Sequence, residues 1–200
     1  MKKYNIVDYW NTRKNPCTKD VERFVKLTKL NLSFVKLQVS GCKKILDFGP
    51  GYGRVFSAYI GVKEVVGLDV TRQHEEKLIE ESKKQKFLFK FICKKYEVDK
   101  LEFDDKEFDA VVSSQVFLHQ PPDIIENIMK ELIRVGKKVI VITYMDTKKN
   151  YDTIENYSKD NRYCFNYNYY KICKMNGWDI YEKHKSRNQI MFVYKERSHE

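Results

Sequence analysis

From about residue 44 onward, short apolar runs alternate with segments whose apolar residues recur at helical spacing. The runs predict five strands, at residues 44–48, 65–69, 87–93, 108–113 and 139–143. The segments between them predict helices at 54–60, 71–84 and 123–134, and the last has an apolar face made of Ile124, Ile125, Ile128, Met129 and Leu132. A repeated strand–helix–strand order indicates a parallel sheet that is covered on both faces.

The two ends of the chain depart from this alternation. Before the first strand, a helix is predicted after a cap at Thr18 or Asp20, with apolar spacing at Val21, Phe24, Val25, Thr28 and Leu32, and with Lys19, Arg23 and Lys26 on another face. After the fifth strand, a helix ending near 176–177 and two strands, 178–184 and 189–194, are predicted to close the chain. The predicted fold class is therefore α/β, a doubly wound, mostly parallel seven-stranded sheet with a terminal antiparallel hairpin strand.

Composition is that of a globular domain. The 200 residues are 42% hydrophobic and 33% charged, and they contain neither a repeat of 20 to 50 residues nor a Gly/Ser- or Pro-rich linker. No apolar run is long enough to cross a bilayer, and the start of the chain lacks the apolar stretch of a signal peptide. Five scattered cysteines without a Cys-x-x-Cys pair argue against a disulfide framework and a zinc site. We expect a single cytoplasmic domain with no membrane partner.

Charge is distributed unevenly along the chain. The formal net charge is +10, of which residues 1–44 contribute +8, residues 45–146 contribute −2 and residues 147–200 contribute +4. Basic flanks fit an anionic partner such as a phosphate, a carboxylate substrate or a nucleic acid. They fit equally a Lys-, Asn- and Tyr-rich composition with solvated helix faces, and the sequence leaves both interpretations open.

A glycine-rich loop is the strongest local signal. The segment 45–55 reads as a buried strand, a turn with Gly49, Gly51 and Gly53 at alternate positions, and a helix start, which is a typical place for a ligand in a doubly wound sheet. In the dinucleotide fingerprint the third glycine would fall at Arg54, so a nicotinamide or flavin cofactor is disfavoured, and the phosphate loop of nucleotide hydrolases is absent. Asp69 ends the next strand, where a carboxylate can accept both hydroxyls of a ribose.

With these features the sequence resembles the class I S-adenosylmethionine-dependent methyltransferases, and most closely the broad group that acts on small molecules. The resemblance covers residues 44–143. Residues 46–53 (LDFGPGYG) are similar to the family's first motif, 66–69 (VGLD) to the second, and 108–119 (FDAVVSSQVFLH) and 131–135 (ELIRV) to the fourth-strand motif and the helix after it. It implies a Rossmann-like fold and S-adenosylmethionine as the cofactor, with S-adenosylhomocysteine as the product.

The resemblance also implies roles for individual residues. Asp47 would orient the loop and attract the cofactor's ammonium group, and the three loop glycines would line its methionine part. Asp69 would hold the ribose and Val70 would pack on the adenine, although a simple strand-end acid is the alternative for Asp69. The other implied cofactor-binding residues are Glu97, Val98, Ser114 and, beside the methionine carboxylate in an aromatic lid with Tyr9 and Trp10, Arg13. A solvated surface charge is the alternative for Glu97, and packing on the sheet edge is the alternative for the lid aromatics.

His119, after the fourth strand, is the candidate catalytic residue, as a general base for an oxygen acceptor. A packing histidine that positions the cofactor is the alternative. No cluster has metal-ligand spacing, so no metal is expected. Residues 114–117 (SQVF) stand where base- and glutamine-directed enzymes carry Asn- or Asp-Pro-Pro-Tyr, and no Pro-Cys occurs there, which disfavours adenine-N6 and cytosine-C5 methylation.

The predicted function is methyl transfer from S-adenosylmethionine to oxygen or nitrogen of a small, anionic or sugar-like acceptor. Within one domain, 1–200, we assign 1–43 to a helical lid and substrate segment, 44–143 to the cofactor-binding core, and 144–200 to a Tyr-rich insertion and closing hairpin. An RNA methyltransferase is the first alternative, because lysines alternate with aromatics in a basic chain. A cofactor-binding protein without methyl transfer is the second.

Overall fold

The computed structural model describes residues 6–12, 21–94, 100–144, 164–186 and 189–197. The chain divides into two compact units, Met1–Tyr96 and Glu97–Glu200. None of the described helices combines the length and the apolar character that a membrane crossing requires. The four cysteines in these ranges, Cys42, Cys93, Cys164 and Cys173, form no disulfide with one another.

The first unit contains a three-stranded parallel sheet. Its elements are α1 (Ile6–Thr12), α2 (Val21–Gln38), β1 (Lys44–Phe48), β2 (Glu64–Asp69), α3 (Glu75–Gln85) and β3 (Leu88–Cys93). Strand β2 lies in the middle, with Val65 opposite Ile45 of β1 and Phe89 of β3. Ile45, Leu46, Val65 and Val66 are buried, as expected of strands covered on both faces. In the second half of α2, Asn31, Phe34, Val35 and Gln38 are buried on one face.

The prediction of a helix at residues 54–60 is wrong. The chain makes a series of turns there and only one short 3₁₀ helix, Phe56–Ala58. Its hydrogen bonds span three residues, from Phe56 N to the carbonyl of Gly53 and from Tyr59 N to that of Phe56. Left-handed glycines on both sides, Gly53 with a φ of 78° and Gly61 with a φ of 80°, limit the segment to this length. The helix predicted at 71–84 begins four residues later, at Glu75.

The second unit combines two parallel strands with an antiparallel hairpin. Its elements are β4 (Ala110–Ser114), a 3₁₀ helix (Phe117–His119), α4 (Ile125–Val135), β5 (Val139–Tyr144), α5 (Tyr169–Met175), β6 (Trp178–Ser186) and β7 (Gln189–Glu196). Strand β5 is parallel to β4 and antiparallel to β7, and β7 pairs with β6 on its other side. The hairpin strands extend beyond the predicted ends, β6 to Ser186 instead of 184 and β7 to Glu196 instead of 194.

Apolar packing and buried hydrogen bonds stabilise the second unit. The predicted apolar face of α4 is buried at Ile125, Ile128, Met129 and Leu132. The Tyr194 hydroxyl, from β7, donates to the Met129 carbonyl over 3.0 Å. The seven strands confirm the predicted fold class, a mostly parallel α/β sheet that ends in an antiparallel hairpin. The assignment of residues 1–200 to one domain with three segments stays a prediction.

Candidate functional site

The loop after β1 has a left-handed backbone at each of its alternate glycines. Gly49, Gly51 and Gly53 have φ values of 74°, 54° and 78°, which a residue with a Cβ atom rarely adopts. The N–H of Gly49 donates to the Leu68 carbonyl in β2 over 2.8 Å, and the N–H of Gly53 donates to the Pro50 carbonyl over 3.0 Å. The loop is therefore a folded turn fixed to the neighbouring strand.

Asp69, the last residue of β2, is bonded to the same loop. Its Oδ2 accepts the Gly51 N–H over 3.2 Å, and its Oδ1 accepts the Val70 N–H over 2.7 Å and the Thr71 N–H over 3.4 Å. Burial raises the pKa of the Asp69 carboxyl, while these three N–H donors and then the charge of His74 act in the opposite direction. Val70, the next residue, is buried.

Asp47 lies in β1, two residues before the first loop glycine, and is only 1% exposed. Its Oδ2 accepts a hydrogen bond of 2.6 Å from the Tyr59 hydroxyl, while its Oδ1 is buried without a hydrogen-bond partner among the described residues. Burial raises the pKa of Asp47 to about 7; the Tyr59 bond lowers it and the charge of Asp69 raises it further. This is a carboxyl group with one oxygen available for a donor.

Sequence reasoning missed Tyr59. The residue is buried just after the 3₁₀ helix, and its ring packs against Phe56 and Phe87 with centroid distances of 5.7 and 6.1 Å. No signal in a single sequence joins a tyrosine to an aspartate twelve positions earlier. The loop residue Tyr52 was missed in the same way: its ring lies beneath Lys77 Nζ at 5.2 Å and Arg54 Cζ at 5.8 Å.

Gly67 is a second point of close approach in the first unit. A Cβ atom at this position in β2 would lie 2.9 Å from Cε2 and Cζ of Phe89 and 3.2 Å from Cγ of Pro50. The strand glycine therefore lets the proline of the loop and an aromatic ring of β3 pack directly over β2. Sequence reasoning included Gly67 in a motif without giving it this role.

Ser114 and His119 lie in the second unit. Ser114 ends β4, and its Oγ is buried with no hydrogen-bond partner among the described residues. Its neighbour Gln115 has a φ of 63°, and the Gln115 N–H donates to the Ile142 carbonyl over 2.7 Å. His119 ends the 3₁₀ helix and is 7% exposed, with Nδ1 at 3.7 Å from Cys164 Sγ.

The segment that carries Cys164 also forms hydrogen bonds with the 3₁₀ helix Phe117–His119 and the residue after it. The N–H of Phe165 donates to the Leu118 carbonyl over 2.7 Å, and the Tyr167 hydroxyl donates to the Gln120 carbonyl over 2.5 Å. Gln120 is itself buried. Cys164 is thus a neighbour of His119 that sequence reasoning missed, because the two residues are 45 positions apart.

Three predicted site residues, Arg13, Glu97 and Val98, lie outside the described residues. Tyr9 and Trp10 are half-buried in α1, with their rings in an edge-to-face contact at 5.1 Å. In the first unit, the contacts given above link the glycine loop to Asp69 and Val70, and Asp47 lies two residues before the first loop glycine. The part of the chain that the structure describes holds no group of three His, Cys, Asp or Glu residues suited to a metal ion.

Residues 45–138 match a family model described as a methyltransferase domain. No curated protein matches the chain. Among solved structures, 1,6-didemethyltoxoflavin-N1-methyltransferase from Burkholderia thailandensis, with 1,6-didemethyltoxoflavin and S-adenosylhomocysteine bound, aligns with a TM-score of 0.66 and 10% identity over 93% of this chain and 94% of that chain. Magnesium protoporphyrin IX methyltransferase from Synechocystis PCC 6803, with bound S-adenosylhomocysteine, has a TM-score of 0.66 and 14% identity over 95% of this chain and 94% of that chain.

A third structure, a protein from Pyrococcus horikoshii OT3, aligns with a TM-score of 0.64 and 21% identity over 95% of this chain and 99% of that chain. At these identities the structural likeness shows the fold, and the family model adds the kind of domain. Residues 45–138 thus match the methyltransferase-domain family, and the chain has the fold of these methyltransferase structures.

Proposed function

We propose that the protein transfers the methyl group of S-adenosylmethionine to an oxygen or nitrogen atom of a small, anionic or sugar-like acceptor. The observation that carries the proposal is the buried Oδ1 of Asp47, which has no hydrogen-bond partner among the described residues and lies two positions before the glycine loop. A buried acceptor without a donor is costly, and a bound ligand with a cationic donor would satisfy it.

The residues of the first unit fit such a cofactor. The ammonium group of the methionine part supplies N–H donors for Oδ1 of Asp47. A Cβ atom at Gly51 would meet nothing within 4 Å, so that side of the loop is open to a ligand. Asp69 is half-buried, and its carboxylate keeps acceptor capacity for ribose hydroxyls beyond the backbone N–H groups that it already binds.

When bound, S-adenosylmethionine supplies an electrophilic methyl group on its sulfonium sulfur. In this proposal the chain binds and orients: Asp47 holds the ammonium, the loop glycines allow close approach of the backbone, Asp69 holds the ribose and Val70 covers the adenine. The further cofactor contacts that we propose are Arg13, Glu97, Val98 and Ser114. Alignment of the reacting atoms is then the chain's main contribution to the rate.

His119 is proposed as the group that accepts a proton from an acceptor hydroxyl. It has a neighbour that can orient its ring, because Cys164 Sγ lies 3.7 Å from Nδ1. An amine acceptor that is already nucleophilic needs no such base, and His119 would then act by packing. The pH dependence of turnover with an identified acceptor separates these two roles.

A small acceptor is supported by the neighbouring structures and by charge. Two enzymes with the same fold are, by their names, methyltransferases of 1,6-didemethyltoxoflavin and of magnesium protoporphyrin IX. The basic flanks of this chain favour an acceptor that carries negative charge. The net charge of +10 also supports RNA as a second candidate acceptor. We propose the cytoplasm as the site of action.

Calorimetric titration with S-adenosylmethionine and S-adenosylhomocysteine tests the cofactor assignment. We expect both to bind the wild type, and Asp69→Ala to lose binding because the ribose loses a half-buried acceptor. Asp179→Ala is the matched control, since Asp179 pairs with Arg197 on the surface of the second unit. Binding that is unchanged in Asp69→Ala would contradict the role of this residue, and no binding of either ligand to the wild type would contradict the proposal.

The acceptor class is tested by salt dependence and turnover. An RNA acceptor predicts binding to bulk RNA with an affinity that falls steeply with salt concentration. A small acceptor predicts weak RNA binding, together with S-adenosylhomocysteine formation in the presence of anionic or sugar-like compounds. Steep salt dependence combined with methylation of RNA would replace the first candidate with the second.

A further inference from the structure

The two oxygens of Asp47 have different environments. Oδ2 accepts the Tyr59 hydroxyl over 2.6 Å, whereas Oδ1 is buried without a hydrogen-bond partner among the described residues. A bare carboxylate oxygen in a buried site is unfavourable, but a protonated oxygen is neutral there. The geometry therefore gives the Asp47 proton a defined position, on Oδ1, when no ligand is present.

Tyr59 keeps this asymmetry in place. Its ring is buried among Phe56 and Phe87, so the hydroxyl has a fixed direction. Burial, and then the nearby charge of Asp47, raise the pKa of Tyr59 well above its ordinary value, so the phenol keeps its proton at any physiological pH. Tyr59 is therefore a permanent donor to Oδ2, and Oδ1 is the oxygen that has no donor among the described residues.

The two groups that face Asp47 do not offset the effect of its burial on the pKa. Tyr59 approaches from the segment after the 3₁₀ helix and Asp69 from the end of β2; Tyr59 favours the charged carboxylate through its hydrogen bond, and Asp69 disfavours it through its like charge. Burial is the largest influence and raises the pKa of Asp47 to about 7. Near neutral pH the free protein thus contains protonated and ionised Asp47 in comparable amounts.

We infer that Asp47 exchanges its own proton for the ammonium group of the cofactor, and that Tyr59 is the positioning residue for this exchange. In the protonated fraction of the free protein, Oδ1 carries the proton; on binding, Oδ1 releases it to solvent and accepts an N–H of the ligand's ammonium instead, while Oδ2 keeps its bond to Tyr59. One positive charge leaves the buried site and one enters it. The inference rests on the proposed function, since it needs a ligand with an ammonium group.

The exchange has a measurable consequence for affinity. Below the pKa of Asp47, the proton competes with the ligand, and the apparent affinity falls about tenfold for each pH unit. Binding at about pH 6 should release about 0.9 proton per ligand, and binding at about pH 8 about 0.1. A ligand without the ammonium group should show neither effect.

The experiment is calorimetry with S-adenosylhomocysteine at about pH 6 and about pH 8, each in two buffers with different ionisation enthalpies, which gives the number of protons released. The matched ligand is 5′-methylthioadenosine, which has the adenine and ribose but no amino acid part. We expect proton release at the lower pH with the first ligand and none with the second. Tight binding of S-adenosylhomocysteine with no proton release at about pH 6 would overturn the inference and leave the proposed function standing.

Variants assign the proton to Asp47. Asp47→Asn cannot titrate at this position, so its remaining pH dependence is that of the ligand's own amino group, and proton release at about pH 6 should disappear. Tyr59→Phe keeps the ring but removes the donor to Oδ2, so the midpoint of the affinity profile should rise by about one pH unit. Tyr194→Phe is the matched control, because it also loses a buried hydroxyl hydrogen bond, to Met129, and should leave the midpoint unchanged.

Several results would contradict the assignment. Equal proton release with 5′-methylthioadenosine would place the titrating group elsewhere, for example at Asp69. Proton release that persists in Asp47→Asn would do the same. If Tyr59→Phe does not fold, the two-buffer measurement on the wild type and Asp47→Asn still decides the outcome. Failure of S-adenosylhomocysteine to bind at either pH would overturn the proposed function and this inference together.

Discussion

The backbone N–H of Gly51 donates a hydrogen bond of 3.2 Å to Oδ2 of Asp69, which joins the middle of the glycine loop to the end of the neighbouring strand. Asp69 therefore has two structural tasks before any ligand arrives, because its Oδ1 also accepts the N–H of Val70. The glycine loop and the Asp69 carboxylate are thus bonded to each other before a ligand binds. Changes in the loop backbone should thus affect ligand binding even where no side chain is lost.

Gly51→Ala tests this connection. Its φ of 54° is unfavourable for alanine by about 1–2 kcal/mol, while a Cβ atom there would meet nothing within 4 Å. We expect a lower free energy of unfolding in urea and, in addition, a clear loss of affinity for S-adenosylhomocysteine, because relief of the strain would move the N–H away from Asp69.

Gly41→Ala is the matched control for the backbone effect. Gly41 has a φ of 81°, also with open space around a Cβ atom, but it lies between α2 and β1, outside the loop. The Gly41→Ala variant should lose a similar amount of unfolding free energy and keep its affinity for S-adenosylhomocysteine. Equal affinities in the two variants would show that the Gly51–Asp69 bond does not matter for binding.

Gly67→Ala should be destabilising through contact rather than through backbone conformation. Its Cβ atom would approach two atoms of the Phe89 ring to 2.9 Å, so the ring or the strand must shift, at a cost of about 1–3 kcal/mol. A double-mutant cycle with Phe89→Leu, measured by urea unfolding, should recover part of this cost. Additive effects of the two substitutions would contradict the steric explanation.

Arg134, which lies in α4, links this helix to the segment that precedes β4. Its guanidinium donates to the carbonyls of Leu101 and Phe103, both over 2.9 Å, and pairs with Glu131 at 2.8 Å, while its side chain is 19% exposed. Arg134→Ala should therefore lower the free energy of unfolding by about 2–3 kcal/mol. Lys137→Ala removes an ion pair to Asp109 from a side chain that is 61% exposed, and should cost less than about 1 kcal/mol. Similar losses of unfolding free energy in both variants would show that Arg134 contributes no more than an exposed ion pair.

The strands of this fold could be predicted from the sequence because buried strands consist of short runs of apolar residues. Strand β1 has the predicted bounds, Lys44–Phe48, and β2 differs by one residue at its start. The segment 54–60 could not be predicted in the same way. Its apolar residues have helical spacing, but two left-handed glycines, at 53 and 61, set its backbone.

The glycine loop of the candidate site could be predicted from the sequence, but the contacts that support the proposed site residues could not. Glycines at alternate positions and an acid at the end of the next strand are visible as residue types, and the backbone at Gly49, Gly51 and Gly53 has the conformation that favours glycine. The partners of the key side chains come from tertiary packing. Tyr59 reaches Asp47 through a turn, and Cys164 approaches His119 from 45 positions away, so neither pair has a local pattern.

The stability of the free protein should depend on pH through Asp47. Its pKa rises from 3.8 to about 7 on folding, so the folded state favours the protonated form. The contribution to stability is fully present below the ordinary pKa and is lost as the pH rises through about 7. Asp47→Asn resembles the protonated acid at every pH. Relative to this variant, the wild type should lose about 2–3 kcal/mol in free energy of unfolding between about pH 5 and about pH 8. Carboxyl groups with lowered pKa values, such as Glu131, act in the opposite direction but equally in both proteins, so the difference between the two urea curves isolates Asp47. A difference that stays constant across this range would show that Asp47 does not titrate there.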